Sequence, residues 1–277
     1  MKKLLQRIDD ALGGRYAAAE LETIKRALCT ELLGVSVLTY YTKDTLQPNT
    51  ERDMRLDEAL ERLAKGEPLQ YVMGLTPFCG LQFKVDSRVL IPRPETAELV
   101  EWVAQDAGES GSLVDIGTGS GCIAVTLAHN LPHWKVQGWD ISDDALEVAR
   151  ENSRLNGTDV EFKRVDVLKV PVESYGFDVI VSNPPYVLES EKGQMEDTVL
   201  EHEPHTALFV SDNDPLLFYR AIAEFGKKAL SENGRLYFEI NPLESEAMME
   251  LLSGAGYHDM EIRKDIFGKQ RMIKAIL

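Results

Sequence analysis

The sequence predicts an α/β protein, a mostly parallel, doubly wound sheet of seven strands preceded by a small helical bundle and a β-hairpin linker. Three observations carry this reading. Through the first 64 residues apolar side chains recur three and four apart, the period of amphipathic helices. From residue 112 onward strand-like and helix-like periods alternate, which is the pattern of parallel strands joined by crossover helices. The tail holds two strand-like runs with no helix between them, so they should pair antiparallel and give the parallel sheet an antiparallel edge.

In chain order, helices are expected over residues 4–12, 17–33 and 51–64, with Leu21, Ile24, Leu28 and Leu32, then Leu56, Leu60 and Leu63, forming apolar stripes. Thr50 with Asp53 offers a cap for the third, and Gly34 and Gly66-Glu67-Pro68 supply stops. These elements make a helical domain over residues 1–74. Residues 75–91 read as the hairpin linker, where Leu81, Phe83 and Val85 alternate with polar neighbours as in a half-buried strand. Residues 92–277 form the larger domain. Its strands are expected at 112–116, 135–140, 160–165, 177–182 and 234–240. The helices between and around them are expected at 94–106, 121–130, 143–155, 215–231 and 244–254. The tail pair is 258–266 and 270–277, turning at Gly268-Lys269.

Length and charge narrow the classes of function. The 277 residues have room for one large domain or two unequal ones, and no apolar run approaches the roughly 18 residues of a spanning helix. The start of the chain lacks an apolar signal core, since Gln6, Arg7, Asp9 and Asp10 interrupt it. Cys29, Cys79 and Cys122 are odd in number and scattered, so neither a disulfide framework nor a zinc knuckle is indicated, and a reducing cytoplasm is expected. The 30 basic residues against 46 acidic ones leave a net charge of −16. Residues 1–74 hold 11 basic and 12 acidic side chains, so nearly all the acidity belongs to the larger domain. Phosphate backbones are bound chiefly through Lys and Arg, so direct nucleic-acid binding is not expected and a basic protein surface is the easier partner.

The first strand of the larger domain ends Asp115-Ile116-Gly117-Thr118-Gly119-Ser120-Gly121 and runs into an apolar helix. Glycines there allow a tight turn and a close approach of ligand to backbone. The second strand ends in Asp140, 19 residues after Gly121, where a carboxylate suits a ribose hydroxyl pair, and Ile141 follows it. Taken alone, this loop serves a dinucleotide as well as any other nucleoside cofactor. The position of Asp115, two before the first glycine, resembles the Asp/Glu-x-Gly-x-Gly-x-Gly loop of class I methyltransferases and implies S-adenosyl-L-methionine. After the third strand, Asp166, Val167 and Leu168 stand where an adenine would be read by a carboxylate, an amide and an apolar face.

The fourth strand delivers Asn183-Pro184-Pro185-Tyr186. Two successive prolines remove two backbone donors and fix φ, so the neighbouring carbonyls become rigid acceptors. Together with the Asn183 side chain they match the two hydrogens of a planar amino group, on which Tyr186 can stack. Such a nitrogen is a poor nucleophile because its lone pair is delocalised, and fixed acceptors that orient it and favour its pyramidal form compensate, with no strong base required. Amino methylation leaves two kinds of acceptor, a nucleobase amine or a side-chain amide.

Residues 69–99 strongly resemble the junction of the HemK/PrmC family, the glutamine methyltransferases of peptide-chain release factors. The resemblance extends through Gly74 with Phe78 and Leu81-Gln82-Phe83, through Ile91-Pro92-Arg93-Pro94-Glu95-Thr96, and through the glycine loop. It continues in Asn183-Pro184-Pro185-Tyr186, Glu203-Pro204 and Ala207-Leu208. It implies a class I, Rossmann-like methyltransferase fold. The implied reaction carries a methyl group from S-adenosyl-L-methionine, leaving S-adenosyl-L-homocysteine, to the glutamine amide of the Gly-Gly-Gln loop in class I release factors, in support of translation termination.

On the same basis Asn183, Pro184, Pro185 and Tyr186 would form the catalytic array. Asp115, Gly117, Thr118, Gly119, Ser120, Gly121, Asp140, Ile141, Asp166, Val167, Leu168 and Asn183 would hold the cofactor. Phe78, Arg93, Pro94, Glu95 and Thr96 would join Asn183, Pro184, Pro185 and Tyr186 in holding substrate, and the helical domain would help dock the protein substrate to a monomeric, cytoplasmic enzyme. Two positions depart from the family pattern: Leu168 stands where some members have an aromatic residue, and Ala97 where many have an acid.

The rival reading is an N6-adenine methyltransferase acting on DNA or RNA, since the same array can hold a flipped adenine. The acidic charge and the lack of a basic recognition insertion count against it. A third reading is a cofactor-binding scaffold without turnover. His202 and His205 have no neighbouring cysteine and are expected to be solvated in a loop, with no metal role. Residues 189–203 carry six acids against Lys192 and read as a surface loop or a lid for a basic partner. Trp102, Trp134 and Trp139 are expected in the core or at its rim, and Arg93 is expected to hold the hairpin to the larger domain.

Overall fold

The computed structural model describes residues 1–170 and 175–277. Two compact units emerge, one of Met1–Leu75 with Glu196–His202, the other of Thr76–Met195 with Glu203–Leu277.

In the first unit the amphipathic stripes close on one another. Helix α1 (Lys2–Leu12) is followed by α2 (Ala18–Ala27), α3 (Val37–Thr42), α4 (Thr50–Ala64) and α5 (Leu69–Met73). Ile8, Leu12, Leu28, Leu56 and Leu63 are all 0% exposed and form the centre of its core. The single helix expected over 17–33 changes form, because α2 passes into a π-helical turn, Leu28–Leu32. The cap expected at Thr50 belongs instead to Asn49, whose side chain accepts from the Arg52 amide at 2.9 Å. Asn accepts this bond readily, and it leaves Thr50 as the first helical residue.

A two-residue turn at Cys79-Gly80, both at positive φ, joins β1 (Leu75–Phe78) to β2 (Leu81–Lys84). This is the geometry that suits the twist of a tight hairpin. The chain then builds the larger sheet through α6 (Pro94–Asp106), β3 (Gly111–Ile116), α7 (Cys122–Asn130), β4 (Trp134–Asp140), α8 (Asp143–Leu155), β5 (Val160–Arg164) and β6 (Phe177–Ser182). Next come β7 (Val187–Leu188), a 3₁₀ turn at Glu189–Gln194, α9 (Asp197–His202), which belongs to the first unit, α10 (His205–Leu208) and β8 (Phe209–Val210). Helix α11 (Leu217–Ala229), β9 (Leu230–Glu239), α12 (Ser245–Gly254), β10 (His258–Lys264) and β11 (Gln270–Ile276) complete it.

Among the described residues the main sheet has seven strands in the order β10-β11-β9-β6-β3-β4-β5. Strands β9, β6, β3, β4 and β5 are parallel, whereas β11 is antiparallel to both neighbours. The tail pair is antiparallel and sits at one edge of the otherwise parallel sheet, as expected; within it β11 takes the inner place, and the outermost strand β10 runs in the direction of the parallel strands. Burial explains the order: Met272, Ile273 and Ala275 of β11 are at most 1% exposed, so the more apolar member of the hairpin takes the inner position. Alternate residues of β3 and β6 supply opposite faces. Val114 and Ile180 pack with Trp139, Phe225 and Phe238, while Leu113, Val179 and Val181 pack with Trp102, Phe83 and Leu99. Trp102, Trp134 and Trp139 are 1%, 8% and 1% exposed, as expected of core residues.

The acidic stretch 189–203 is not a loop. It contains the 3₁₀ turn and α9, elements too short to show an apolar period. Among the described residues no helix is long and apolar enough to cross a membrane.

Candidate functional site

The carboxyl ends of β3 and β6 lie side by side, because Ile116 pairs with Ser182 in register and the Ser182 hydroxyl donates to the Ile116 carbonyl at 2.6 Å. The glycine loop and Asn183 therefore leave adjacent strands at the same level, at the edge where open α/β sheets take ligands.

Three hydrogen bonds anchor the loop to the end of β4. The Gly117 and Thr118 amides donate to the Trp139 carbonyl at 2.8 and 2.9 Å, and the Gly119 amide donates to Asp140 Oδ2 at 2.9 Å. The other oxygen of Asp140 accepts from the Ser142 amide at 2.9 Å, and burial raises the pKa of this carboxyl. Gly117, Gly119 and Gly121 all have positive φ. A Cβ on Gly117 or Gly119 would meet nothing within 4 Å, whereas on Gly121 it would meet Ala149 Cβ at 3.1 Å. The first two glycines thus leave open space above the backbone, and the third lets α7 and α8 approach. Asp115 is fully buried. Its Oδ2 accepts from the Thr118 hydroxyl at 2.6 Å, while Oδ1 has no hydrogen-bond partner, and burial pushes the carboxyl up to about 7.

Thr118 and Ser120 are buried, at 4% and 2% exposure, and support the loop from beneath. Ile141 lies exposed beside Asp140. The Val165 amide donates to the Asp140 carbonyl at 2.9 Å, so the end of β5 meets that of β4. Beyond it Val167 is half-buried and Leu168 exposed. Asp166 is engaged locally, accepting from the Leu168 amide at 3.0 Å and pairing with Lys169 at 3.0 Å, and the Lys169 ammonium holds its carboxyl below the usual range.

On the other side Asn183, Pro184 and Tyr186 line a cleft with Leu90, Arg93, Val187, Ala207 and Leu208. Pro184 is buried, whereas Asn183, Pro185 and Tyr186 are half-buried. Asn183 Nδ2 donates to Thr96 Oγ1 at 3.2 Å. Thr96 is 2% exposed and its hydroxyl donates to Glu239 Oε2 at 2.6 Å, while the Tyr186 hydroxyl donates to Glu239 Oε1 at 3.0 Å. Burial drives the Tyr186 hydroxyl far above its ordinary pKa and raises that of Glu239.

Not every expected residue reaches this cleft. Phe78 is 5% exposed and packs edge-on against Phe83 within the core, so it supports the hairpin rather than walling the site. Pro94 and Glu95 open α6, the first exposed and the second half-buried. Arg93 has the structural role expected of it, at the end of the linker. It pairs with Glu203 at 2.6 Å, and the other oxygen of Glu203 accepts from the Ile91 amide at 3.1 Å. His202 is half-buried within α9, with Nε2 buried and unbonded, rather than solvated in a loop, whereas His205 is exposed.

Sequence reading missed Glu239, Arg271 and Asn152. Arg271 lies 6.0 Å from the Tyr186 ring centroid and pairs with Asp265 at 3.3 Å. Asn152 is fully buried and donates to the Lys84 and Ser120 carbonyls at 3.0 and 2.9 Å, tying β2 to the glycine loop. Of these, Asn152 had a faint signal as a polar residue on the apolar stripe of an expected helix. Among the described residues no group of three or more His, Cys, Asp or Glu could hold a metal ion.

Residues 94–206 match the methyltransferase small domain family, and residues 3–74 match the PrmC N-terminal domain family. The fold is similar to that of a methyltransferase from Pyrococcus furiosus, with a TM-score of 0.55 at 17% identity over 82% of this chain and 98% of that one. The release factor glutamine methyltransferase of Bacteroides thetaiotaomicron is 44% identical over 99% of both chains. That of Flavobacterium psychrophilum is 46% identical over 83% of this chain and 84% of its own. Similarity that runs through both units at these levels settles the lineage: the chain belongs to the release factor glutamine methyltransferase family.

Proposed function

We propose that this chain methylates the side-chain amide nitrogen of the glutamine in the Gly-Gly-Gln loop of class I peptide chain release factors, using S-adenosyl-L-methionine. The observation that carries the reading is the in-register pairing of Ile116 with Ser182, which brings the glycine loop and the Asn-Pro-Pro-Tyr segment out of the sheet together. The residues present fit the cofactor. Asp115 Oδ1 is a buried acceptor without a partner, suited to an ammonium, and Gly117 and Gly119 leave room for chain atoms at the backbone. Asp140 and the exposed Ile141 would meet the ribose and base, with Val167 and Leu168 on the adenine side and Asp166 at its rim. When bound, the cofactor supplies an electrophilic methyl group.

The rest belongs to this chain's own residues. Asn183 Oδ1 and a carbonyl beside Pro184 would each accept one hydrogen of the glutamine amide, which fixes the nitrogen and favours its pyramidal form as charge develops. Pro185 and Tyr186 would shape the pocket around the amide. Leu90, Val187 and Leu208 line the same cleft and would limit the access of water. No strong base is needed, because the nitrogen becomes acidic on transfer and can lose its proton afterwards. The helical unit would help dock the release factor.

The test is transfer of labelled methyl groups to purified release factor, to its Gly-Gly-Ala variant and to unmethylated duplex DNA. Label in the wild-type factor alone is expected. Label in DNA alone would replace this reading with adenine methylation, and loss of transfer in Asn183→Ala by about 100- to 1,000-fold is expected for one pre-aligned acceptor.

A further inference from the structure

Glu239 closes β9 at 1% exposure, 143 residues from Thr96 and 53 from Tyr186, yet it receives hydrogen bonds from both. The directions of these bonds are constrained. An ionised carboxylate can only accept, and a hydroxyl has one proton to give. Thr96 gives its proton to Glu239 at 2.6 Å and so can only accept from Asn183, at 3.2 Å. Asn183 must then turn its NH2 group toward Thr96, which leaves Oδ1 as its free polar atom.

We infer that Glu239 is a positioning residue that sets the side-chain orientation of Asn183 through the Thr96 hydroxyl, so that the cleft is offered an acceptor and not a donor. The inference rests on the amide-methylation reading, in which the substrate's NH2 needs an acceptor; a reversed Asn183 would set donor against donor. Tyr186, bonded to the other oxygen of Glu239, is held by the same group. Burial raises the Glu239 pKa, and the hydrogen bonds from Thr96 and Tyr186, with the charge of Arg271, oppose that rise in favour of the acceptor-only form.

The test has a structural arm and a kinetic arm. In the structural arm the Asn183 side-chain NH2 resonance of ¹⁵N-asparagine-labelled protein is assigned by its loss in Asn183→Ala. It should show slow hydrogen exchange in the wild type and in Thr96→Ser, and exchange at least tenfold faster in Thr96→Val. In Glu239→Gln, where Thr96 is free to bond in either sense, its chemical shift should move. Unchanged exchange in Thr96→Val together with an unchanged shift in Glu239→Gln would overturn the inference, whatever the substrate.

In the kinetic arm, Thr96→Val and Glu239→Gln should lower kcat by about 10- to 100-fold, with KM for release factor changed less than about threefold, because the lost effect is one of orientation in the transition state. Thr96→Ser should recover most of the rate. Adding Glu239→Gln to Thr96→Val should cost less than about threefold more, as expected of two groups acting through one contact. Full additivity, or a loss carried by KM, would also overturn the inference. A wild type that binds S-adenosyl-L-homocysteine but labels no release factor would defeat the methylation reading instead, and the resonance arm would still judge the orientation of Asn183.

Discussion

Arg93 Nη2 lies 2.6 Å from Glu203 Oε1, and the carboxylate is 1% exposed while the guanidinium is 32% exposed. The other carboxylate oxygen accepts the Ile91 amide, so one buried acid joins the segment before α6 to the start of α10. Glu203→Ala leaves that amide unbonded and should cost about 1–3 kcal/mol. For a unit of this size, that is a fall of several degrees in Tm. Glu203→Gln, which still offers an acceptor, should lose less. Thermal unfolding of the three proteins decides, and an alanine variant as stable as wild type would mean that the pair adds nothing.

Gly117 and Gly121 should separate binding from folding. Both have positive φ, where a side chain costs about 1–2 kcal/mol. At Gly121 the new methyl would also meet Ala149 Cβ at 3.1 Å, so Gly121→Ala should be the less stable of the two. At Gly117 it enters open space, so Gly117→Ala should stay folded while affinity for S-adenosyl-L-homocysteine drops tenfold or more. Calorimetric binding beside a melting curve would show it; equal affinity in Gly117→Ala would place the cofactor elsewhere.

Asp115 makes stability depend on pH in an unusual direction. Its carboxyl titrates at about 7 in the fold, against about 4 when unfolded, because burial disfavours the charge. A raised acid pKa means that the folded state holds a proton the unfolded chain has given up. The stability tied to it is therefore present below pH 4 and lost as pH rises from 4 through 7. Asp115→Asn, which does not titrate, should gain on the wild type between pH 5 and pH 8 in the absence of cofactor. A difference in Tm that stays constant across that range would contradict this.

The role proposed for the helical unit is open to a simple test. Leu56 is 0% exposed in its core, and Leu56→Ala should cost about 2–5 kcal/mol there. If this unit docks the release factor, KM for that substrate should rise near the unit's melting temperature while S-adenosyl-L-homocysteine still binds normally. Unaltered KM in the variant would assign docking to the other unit.

What could be read from the sequence was whatever is contained in a short contiguous stretch. The glycine loop and Asn183-Pro184-Pro185-Tyr186 carry their chemistry within a few residues, and the alternation of periods announces parallel strands before any contact is known. Glu239 could not be read this way, because an acid ending a strand says nothing of a threonine 143 positions earlier. Asn152 escaped for the same reason, its partner Lys84 lying 68 residues away. The order of β10 and β11 was hidden because a two-residue period marks a strand but not its neighbours. The capping role of Asn49 turned on a shift of one residue, finer than turn residues can specify.

The inner position of β11 has a consequence for how the sheet is assembled. Residues 270–276 bridge β9 and β10, so until they are made β9 is an open edge and β10 has nothing to pair with. A nascent chain that has only reached β9 exposes a row of unpaired amides and carbonyls on an apolar strand, the kind of edge that recruits other chains. Closure of this edge must therefore wait for the late segment. Substitutions in Met272, Ile273 or Ala275 should then lower the yield of soluble protein more than their effect on final stability would suggest.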